Sequence, residues 1–360
     1  MLVRTDEMID KEVAVEQGLQ LCRFAGDVYP TWDTLSPRRR MLILGAGKLA
    51  GELCRVVRSQ RFGMVEIIGA LVGGNERIEQ NQDVPGIIGT YEQVARVVEV
   101  QKVTTVVVCL EDRRSVLPVE QLLDLKAMGI DVLDGHQLFE EVSGRLSIDS
   151  LRPSALVFSN GFKQRMASRI IKRFVDILVS AGGLLTLFPL FLLVAFLIKV
   201  DSPGPVFYRQ VRVGLRGRPF HIWKFRSMVQ DAENAGPRWA QADDPRISRV
   251  GWWLRKTRVD EFPQLVNVLR GEMSLVGPRP ERPVFVQSLR KIIPYYDLRH
   301  TVRPGITGWA QVKFRYGASE EDAHMKLQYD LYYVKRLSVG IDMRILVHTV
   351  RVMCLGEGAQ

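Results

Sequence analysis

The sequence predicts an α/β protein in two unlike parts, a parallel-sheet domain followed by a mainly α, membrane-associated one. Three observations carry that expectation. Short apolar runs alternate with helical periods between residues 41 and 133, the pattern of strands joined by crossover helices. Residues 177–198 contain no charge, and a bilayer-spanning helix needs about 20 such residues. An adjacent acidic pair, Asp260 and Glu261, stands at a predicted helix start among lysines and arginines.

A chain of 360 residues is long enough for two cores. Its 46% hydrophobic and 25% charged content is ordinary for a folded protein. The net charge of +10 is local: residues 160–226 carry twelve basic side chains against Asp176 and Asp201, leaving the rest neutral. A nucleic-acid binder also shows a basic belt, but this belt wraps the apolar stretch. Anionic lipid heads and phosphorylated substrates are the expected partners, and nucleic acid is not. Cys22, Cys54, Cys109 and Cys354 lie far apart, which argues against a zinc site or a disulfide framework and fits a reducing compartment. Asp6, Glu7 and Asp10 exclude a signal peptide at the N-terminus.

Residues 1–40 read as a leader and linker, with a short amphipathic helix over 12–24. Residues 41–44 form a buried-strand run, followed at once by Gly45, Gly47 and a helical pattern to Arg58. Further strands are predicted over 65–72, 86–88, 105–110 and 129–133, with helices over 91–100 and 116–128. Together these make a Rossmann-like parallel sheet over residues 41–150. A glycine turn lets backbone amides approach a phosphate. A dinucleotide site also wants an acidic residue closing the second strand, and here that strand ends Val72-Gly-Gly-Asn75. The preferred reading is a structural or regulatory module, with a bound dinucleotide as the lesser alternative; no cofactor-binding residue is assigned.

Residues 151–168 read as a linker and 169–200 as a membrane hairpin. Gly182, Gly183 and Pro189 interrupt the apolar run, and proline removes a helix hydrogen bond and crowds the preceding turn. Both flanks are basic, with Arg169, Lys172 and Arg173 before and Lys199, Arg209 and Arg212 after. Positive charge prefers the cytoplasmic side, so a hairpin entering and leaving by one face satisfies both flanks. Residues 201–360 follow as the catalytic domain, with a Pro/Gly turn over 201–208 and a strand over 220–225. Trp252 and Trp253, among Arg249, Arg255 and Lys256, suit a membrane interface or a core-and-surface pair nearly equally.

Pro263 and Gly271 bracket a short helix over residues 264–270, as proline opens helices and glycine closes them. The acidic pair therefore sits where a helix N-terminus favours anions. On spacing alone this is either a salt-bridged surface or a site for an anionic substrate that also needs a carboxylate. His221, His300, His324 and His348 show no metal-ligand spacing and read as structural.

Four blocks go further: Lys224-Phe-Arg-Ser-Met228, Asp260-Glu261-x-Pro263-Gln264-Leu265, Met273-Ser-Leu-Val-Gly-Pro-Arg-Pro280 and Arg303-Pro-Gly-Ile-Thr-Gly-Trp-Ala-Gln-Val312. In this order they resemble the signature of the bacterial sugar transferases, the monotopic phosphoglycosyl transferases. The resemblance covers roughly residues 169–344 and leaves the N-terminal part aside. It implies transfer of a sugar phosphate from a UDP-sugar to polyprenyl (undecaprenyl) phosphate, with UMP released, at the start of exopolysaccharide or glycoconjugate assembly. It also implies a re-entrant helix, a catalytic domain on the cytoplasmic face of a bacterial inner membrane, and association into a homodimer. Members often carry membrane helices upstream. None is read in residues 1–40, so a shortened architecture is expected.

By the same resemblance Asp260 is the nucleophile and a magnesium ligand, Glu261 its partner in the dyad, and Lys224, Arg255, Arg279 and Arg315 hold phosphates. A carboxylate nucleophile forms an acyl phosphate and divides the reaction into two steps. Mg2+ is the cofactor expected of such a substrate, because it is hard and bridges carboxylate and phosphate oxygens. A nicotinamide-dependent dehydratase or epimerase is the alternative enzyme class. It commonly uses Tyr-x-x-x-Lys, and no tyrosine here has a lysine four residues on. A non-catalytic membrane scaffold would have no use for the acidic–basic constellation.

Overall fold

The computed structural model describes residues 39–59, 65–73, 83–110, 117–149, 161–162, 166–230, 232, 244–314 and 319–355. The expected helix over 12–24, the candidate Arg315 and most of the 151–168 linker lie outside them. The chain divides into two compact units between Ser159 and Asn160.

In the first unit, β1 (Arg39–Leu44), β2 (Val65–Val72), β3 (Ile87–Thr90), β4 (Thr105–Val108) and β5 (Asp131–Asp134) form one sheet in the order β3-β2-β1-β4-β5. Every pairing is parallel. A parallel sheet must be covered on both faces, and the helices divide accordingly. On one face α1 (Lys48–Ser59) contributes Leu49, Leu53 and Val57, and α4 (Gly135–Ser143) contributes Leu138, Phe139 and Val142. On the other, α2 (Val94–Val100) contributes Val94 and Val98, and α3 (Val119–Ala127) contributes Leu122 and Leu125. Gly45, with φ +104°, ends β1; a Cβ there would stand 3.0 Å from Cys109 O, so only glycine lets β1 leave the sheet so close to β4.

The second unit opens with α5 (Met166–Asp201), 36 residues with Pro189 inside. The interruption expected at Gly182-Gly183 and Pro189 does not divide it into two helices. Asp176, Ser180, Val194 and Ile198 are buried along one side. Ile170, Phe174, Leu178, Leu185, Phe188, Leu192 and Phe196 stand exposed along the other, Leu185 at 79%. Among the described residues α5 alone is long and apolar enough to cross a membrane.

A hairpin of β6 (Phe207–Val213) and β7 (Pro219–Phe225) follows, then α6 (Arg249–Lys256) and α7 (Gln264–Arg270). Next come β8 (Ser274–Val276), α8 (Pro283–Ile292), β9 (Gly305–Thr307), α9 (Trp309–Lys313), α10 (Glu320–Lys335) and α11 (Val339–Leu355). This unit is mainly helical. β8 and β9 pair in parallel, and that pairing joins two of the distant sequence blocks into one object. A Cβ at Gly277 would lie 2.4 Å from Arg303 O, so the crossing demands glycine.

The basic belt is divided in a way the sequence did not suggest. Lys172 and Arg173 turn into the second unit and bond to Val276 O, Asp342, Val268 O and Leu269 O. Arg212 donates to Pro280 O and Arg226 to Pro203 O and Ser202 O. Arg169 and Lys199, near the two ends of α5, remain exposed.

Candidate active site

The acidic pair is set by a sharp local turn. Ser248 caps α6, its side chain accepting from Gly251 N. After α6 the chain passes through Arg258 in the left-handed region, φ +60°, a conformation that costs a non-glycine residue of order 1 kcal/mol and clusters at functional sites. The single 3-10 turn Val259–Glu261 follows, and Pro263 then leads into α7. From Val259 the backbone stays helical, so Asp260 and Gln264 lie one turn apart on one face.

Asn267 fixes this helix against the strand that carries Lys224. It is fully buried; its Oδ1 accepts from Trp223 N and its Nδ2 donates to His221 O and Glu272 Oε2. Sequence reading passed over it, although a lone amide inside an apolar helical run was the available signal. With α7 held to β7, Lys224 Nζ comes within 2.8 Å of Glu261 Oε1. Arg279, just beyond β8, brings Nη2 to the same oxygen at 2.8 Å.

The two carboxylates thus live in opposite environments. Burial works to raise the Glu261 carboxyl, but Arg279 and Lys224 override it and hold it well below the usual range. Asp260 is raised by burial, with Glu261 adding to the effect and Lys224, Arg255 and Arg258 opposing it. Its Oδ1 has no hydrogen-bond partner, and neither has Gln264 Nε2. An unsatisfied buried acceptor of this kind costs about 1–3 kcal/mol, a cost a bound cation or donor would remove.

Of the predicted site residues, Asp260, Glu261, Lys224 and Arg279 come together. Arg255 lies near enough to act on Asp260 electrostatically, with its Nε donating to Ser227 Oγ at 3.1 Å. Among the described residues no three His, Cys, Asp or Glu side chains gather as a metal cage. The unpartnered Asp260 Oδ1 is a hard oxygen donor of the kind a magnesium ion takes. Glu261 is engaged elsewhere. His300 is buried, and burial pushes it down to about 4, which keeps it neutral and fits the structural reading. Trp252 and Trp253 are both exposed, at 48% and 63%, rather than divided between core and surface. They pack edge to face, with Lys256 Nζ 4.7 Å above the Trp252 ring.

Residues 167–356 match the family model described as "Bacterial sugar transferase". The chain is 45% identical over 231 residues to the UDP-N-acetylgalactosamine-undecaprenyl-phosphate N-acetylgalactosaminephosphotransferase of Aeromonas hydrophila, covering 64% of this chain and 54% of that protein. It is 42% identical over 185 residues to the UDP-glucose:undecaprenyl-phosphate glucose-1-phosphate transferase of Escherichia coli (strain K12), covering 51% and 40%. It is 32% identical over 322 residues to the undecaprenyl-phosphate glucose phosphotransferase of Komagataeibacter xylinus, covering 87% and 58%. The chain spans about half the length of these relatives.

Proposed function

The chain belongs to the bacterial sugar transferase family, and from that premise we propose that it transfers a sugar 1-phosphate from a UDP-sugar to a polyprenyl phosphate through an aspartyl-phosphosugar intermediate. The observation that carries the proposal is Asp260: a buried carboxylate with an unpartnered oxygen, beside a Glu261 whose Oε1 already holds both Lys224 and Arg279.

In this reading Asp260 attacks the β-phosphorus. An Asp260 oxygen–phosphorus bond forms, the bond to the bridging oxygen breaks, and UMP leaves with that oxygen. A polyprenyl phosphate oxygen then attacks the same phosphorus and returns the Asp260 carboxylate. Lys224, Arg279 and Arg255 neutralise the diphosphate, which otherwise repels an anionic nucleophile. Arg315 belongs to the same proposal by resemblance alone. Glu261 is not a proton carrier in this scheme; it holds two cations in place. Magnesium, bound at Asp260, would supply charge neutralisation on the phosphate oxygens.

The same proposal puts both ends of α5 on the cytoplasmic face of the inner membrane. Lys172, Arg173 and Asp176 near its start bond into the second unit. Val194 and Ile198 near its end pack on Phe225 and Leu254 of that same unit. A helix spanning a bilayer would carry one end away from the body to which both are fastened. The exposed Arg169 and Lys199 fit one positively charged leaflet boundary. Trp252, Trp253 and Lys256 suit the adjoining lipid heads.

Incubation with a radiolabelled UDP-sugar and undecaprenyl phosphate in vesicles tests the proposal. Label entering organic-extractable lipid, dependent on Asp260, is expected; label that stays in water-soluble products contradicts it.

A further inference from the structure

The segment that carries the dyad closes on itself. It leaves Asp260 and Glu261, runs through α7, turns at Gly271 and returns along β8 to Arg279, which bonds back to Glu261. The end of this loop remote from the dyad is fastened by the first turns of α5. Arg173 Nη1 donates to Val268 O at 2.6 Å and Nη2 to Leu269 O at 2.8 Å. These are last-turn carbonyls of α7, whose partial negative charge favours a cation; Val268 O also accepts from Gly271 N. One turn further along α5, the buried Asp176 accepts from Ser274 Oγ at 3.1 Å and Leu275 N at 3.0 Å, at the start of β8. Adjacent turns of one helix therefore grip both arms of the loop, one on the outgoing helix and one on the returning strand. Midway along, Gly183 of α5 lies against Leu265 of α7: a Cβ there would stand 3.2 Å from Leu265 Cδ1.

We infer that Arg173 and Asp176 are positioning residues for the transfer reaction: by fixing α7 against β8 they set the approach of Arg279 to Glu261, and with it the cations beside Asp260. The inference rests on the proposed function. It adds that the apolar helix presented to the bilayer and the dyad form one mechanical unit, so that the seating of α5 reaches the reacting groups through Arg173 and Asp176, beside Lys172, which donates to Val276 O at the end of β8. Both contacts suit this use. A two-pronged guanidinium fixes direction as well as distance, and a buried carboxylate bonded to a strand amide does not slide. Solvated flank charges, which the sequence pattern suggested for Arg173, would transmit nothing.

The test uses the full chain in phosphatidylethanolamine–phosphatidylglycerol vesicles, with a UDP-sugar and undecaprenyl phosphate. Rates are expressed per folded molecule. Asp176→Leu and Arg173→Gln are each expected to lower kcat about tenfold or more with KM for the UDP-sugar little changed, the mark of an interaction used in the transition state. Asp176→Asn, which keeps the accepting oxygen, recovers most of the rate lost in Asp176→Leu. Combined with Arg279→Lys, either change costs less than the product of the single effects, because both act through the same group. If Asp176→Leu does not fold, Arg173→Lys, which keeps the charge and loses the fork, carries the same cycle. Multiplicative effects, or an unchanged kcat per folded molecule, would confine these contacts to folding and overturn the inference while leaving the transfer reaction standing. An inactive wild-type chain would overturn the reaction and the inference together.

Discussion

Glu261 Oε1 accepts a 2.8 Å hydrogen bond from Arg279 Nη2, eighteen residues further along the chain. Lys224 Nζ reaches the same oxygen at the same distance from the opposite direction in sequence. One carboxylate oxygen thus gathers two cations from two separate blocks and points them at the space beside Asp260. Glu261→Gln keeps the shape and removes the charge that holds them. Transfer is expected to fall about 100-fold, the scale on which one preorganised electrostatic group is lost. The covalent adduct on Asp260 still forms in this variant, as single-turnover labelling will show.

The pH dependence follows from Asp260. Burial raises its carboxyl, so the nucleophilic, ionised form is lost at a higher pH than for a free aspartate as the solution is acidified. The acid limb of kcat/KM is therefore expected above the ordinary aspartate range. Lys224 opposes the rise, so Lys224→Met moves the limb higher still. A limb in Lys224→Met that stays in place or moves down would contradict this ordering.

The arrangement of α5 is tested by labelling. In a chain whose native cysteines are replaced, single cysteines at the exposed Ala167 and Tyr208 are both expected to react with an impermeant maleimide from the cytoplasmic side only. Labelling from opposite sides would mean that α5 spans the bilayer.

How much of this was legible in the sequence differed by scale. The strand over 65–72 and the helix over 264–270 match β2 and α7 residue for residue, because glycine and proline punctuate them. Gly45 and the alternation that follows were enough for the parallel sheet. The dyad and its neighbours were found through resemblance rather than spacing. Lys224 and Arg279 stand 37 and 18 residues from Glu261, and only the β7–α7 and β8–β9 contacts bring them together. Arg173 and Asp176 were misread or passed over for a physical reason: at the edge of an apolar run, a charge serving the protein interior looks the same as one serving lipid heads. Asn267 was missed because two of its three partners are backbone groups of a strand more than forty residues away.

Lys224, Arg255, Asp260, Glu261 and Arg279 all belong to the second unit. A chain beginning near Gly161 is expected to retain transfer, with any change confined to stability or to assembly as a dimer, which light scattering in detergent will report. Complete loss of transfer in a folded, membrane-bound truncation would place part of the site in the first unit. The glycine turn at Gly45 would then call for a direct nucleotide-binding measurement.

The most direct test withholds the lipid acceptor. The protein, in vesicles free of polyprenyl phosphate, is mixed with a UDP-sugar carrying label in the β-phosphate, and the protein is digested and mapped. A burst of UMP no larger than the amount of enzyme is expected, with label on the peptide containing Asp260. Added undecaprenyl phosphate removes that label into lipid, and Asp260→Asn lowers turnover by about three orders of magnitude or more, the scale of losing a covalent nucleophile. Lipid product formed without any protein-bound label, in a chain that releases UMP only when both substrates are present, would contradict it.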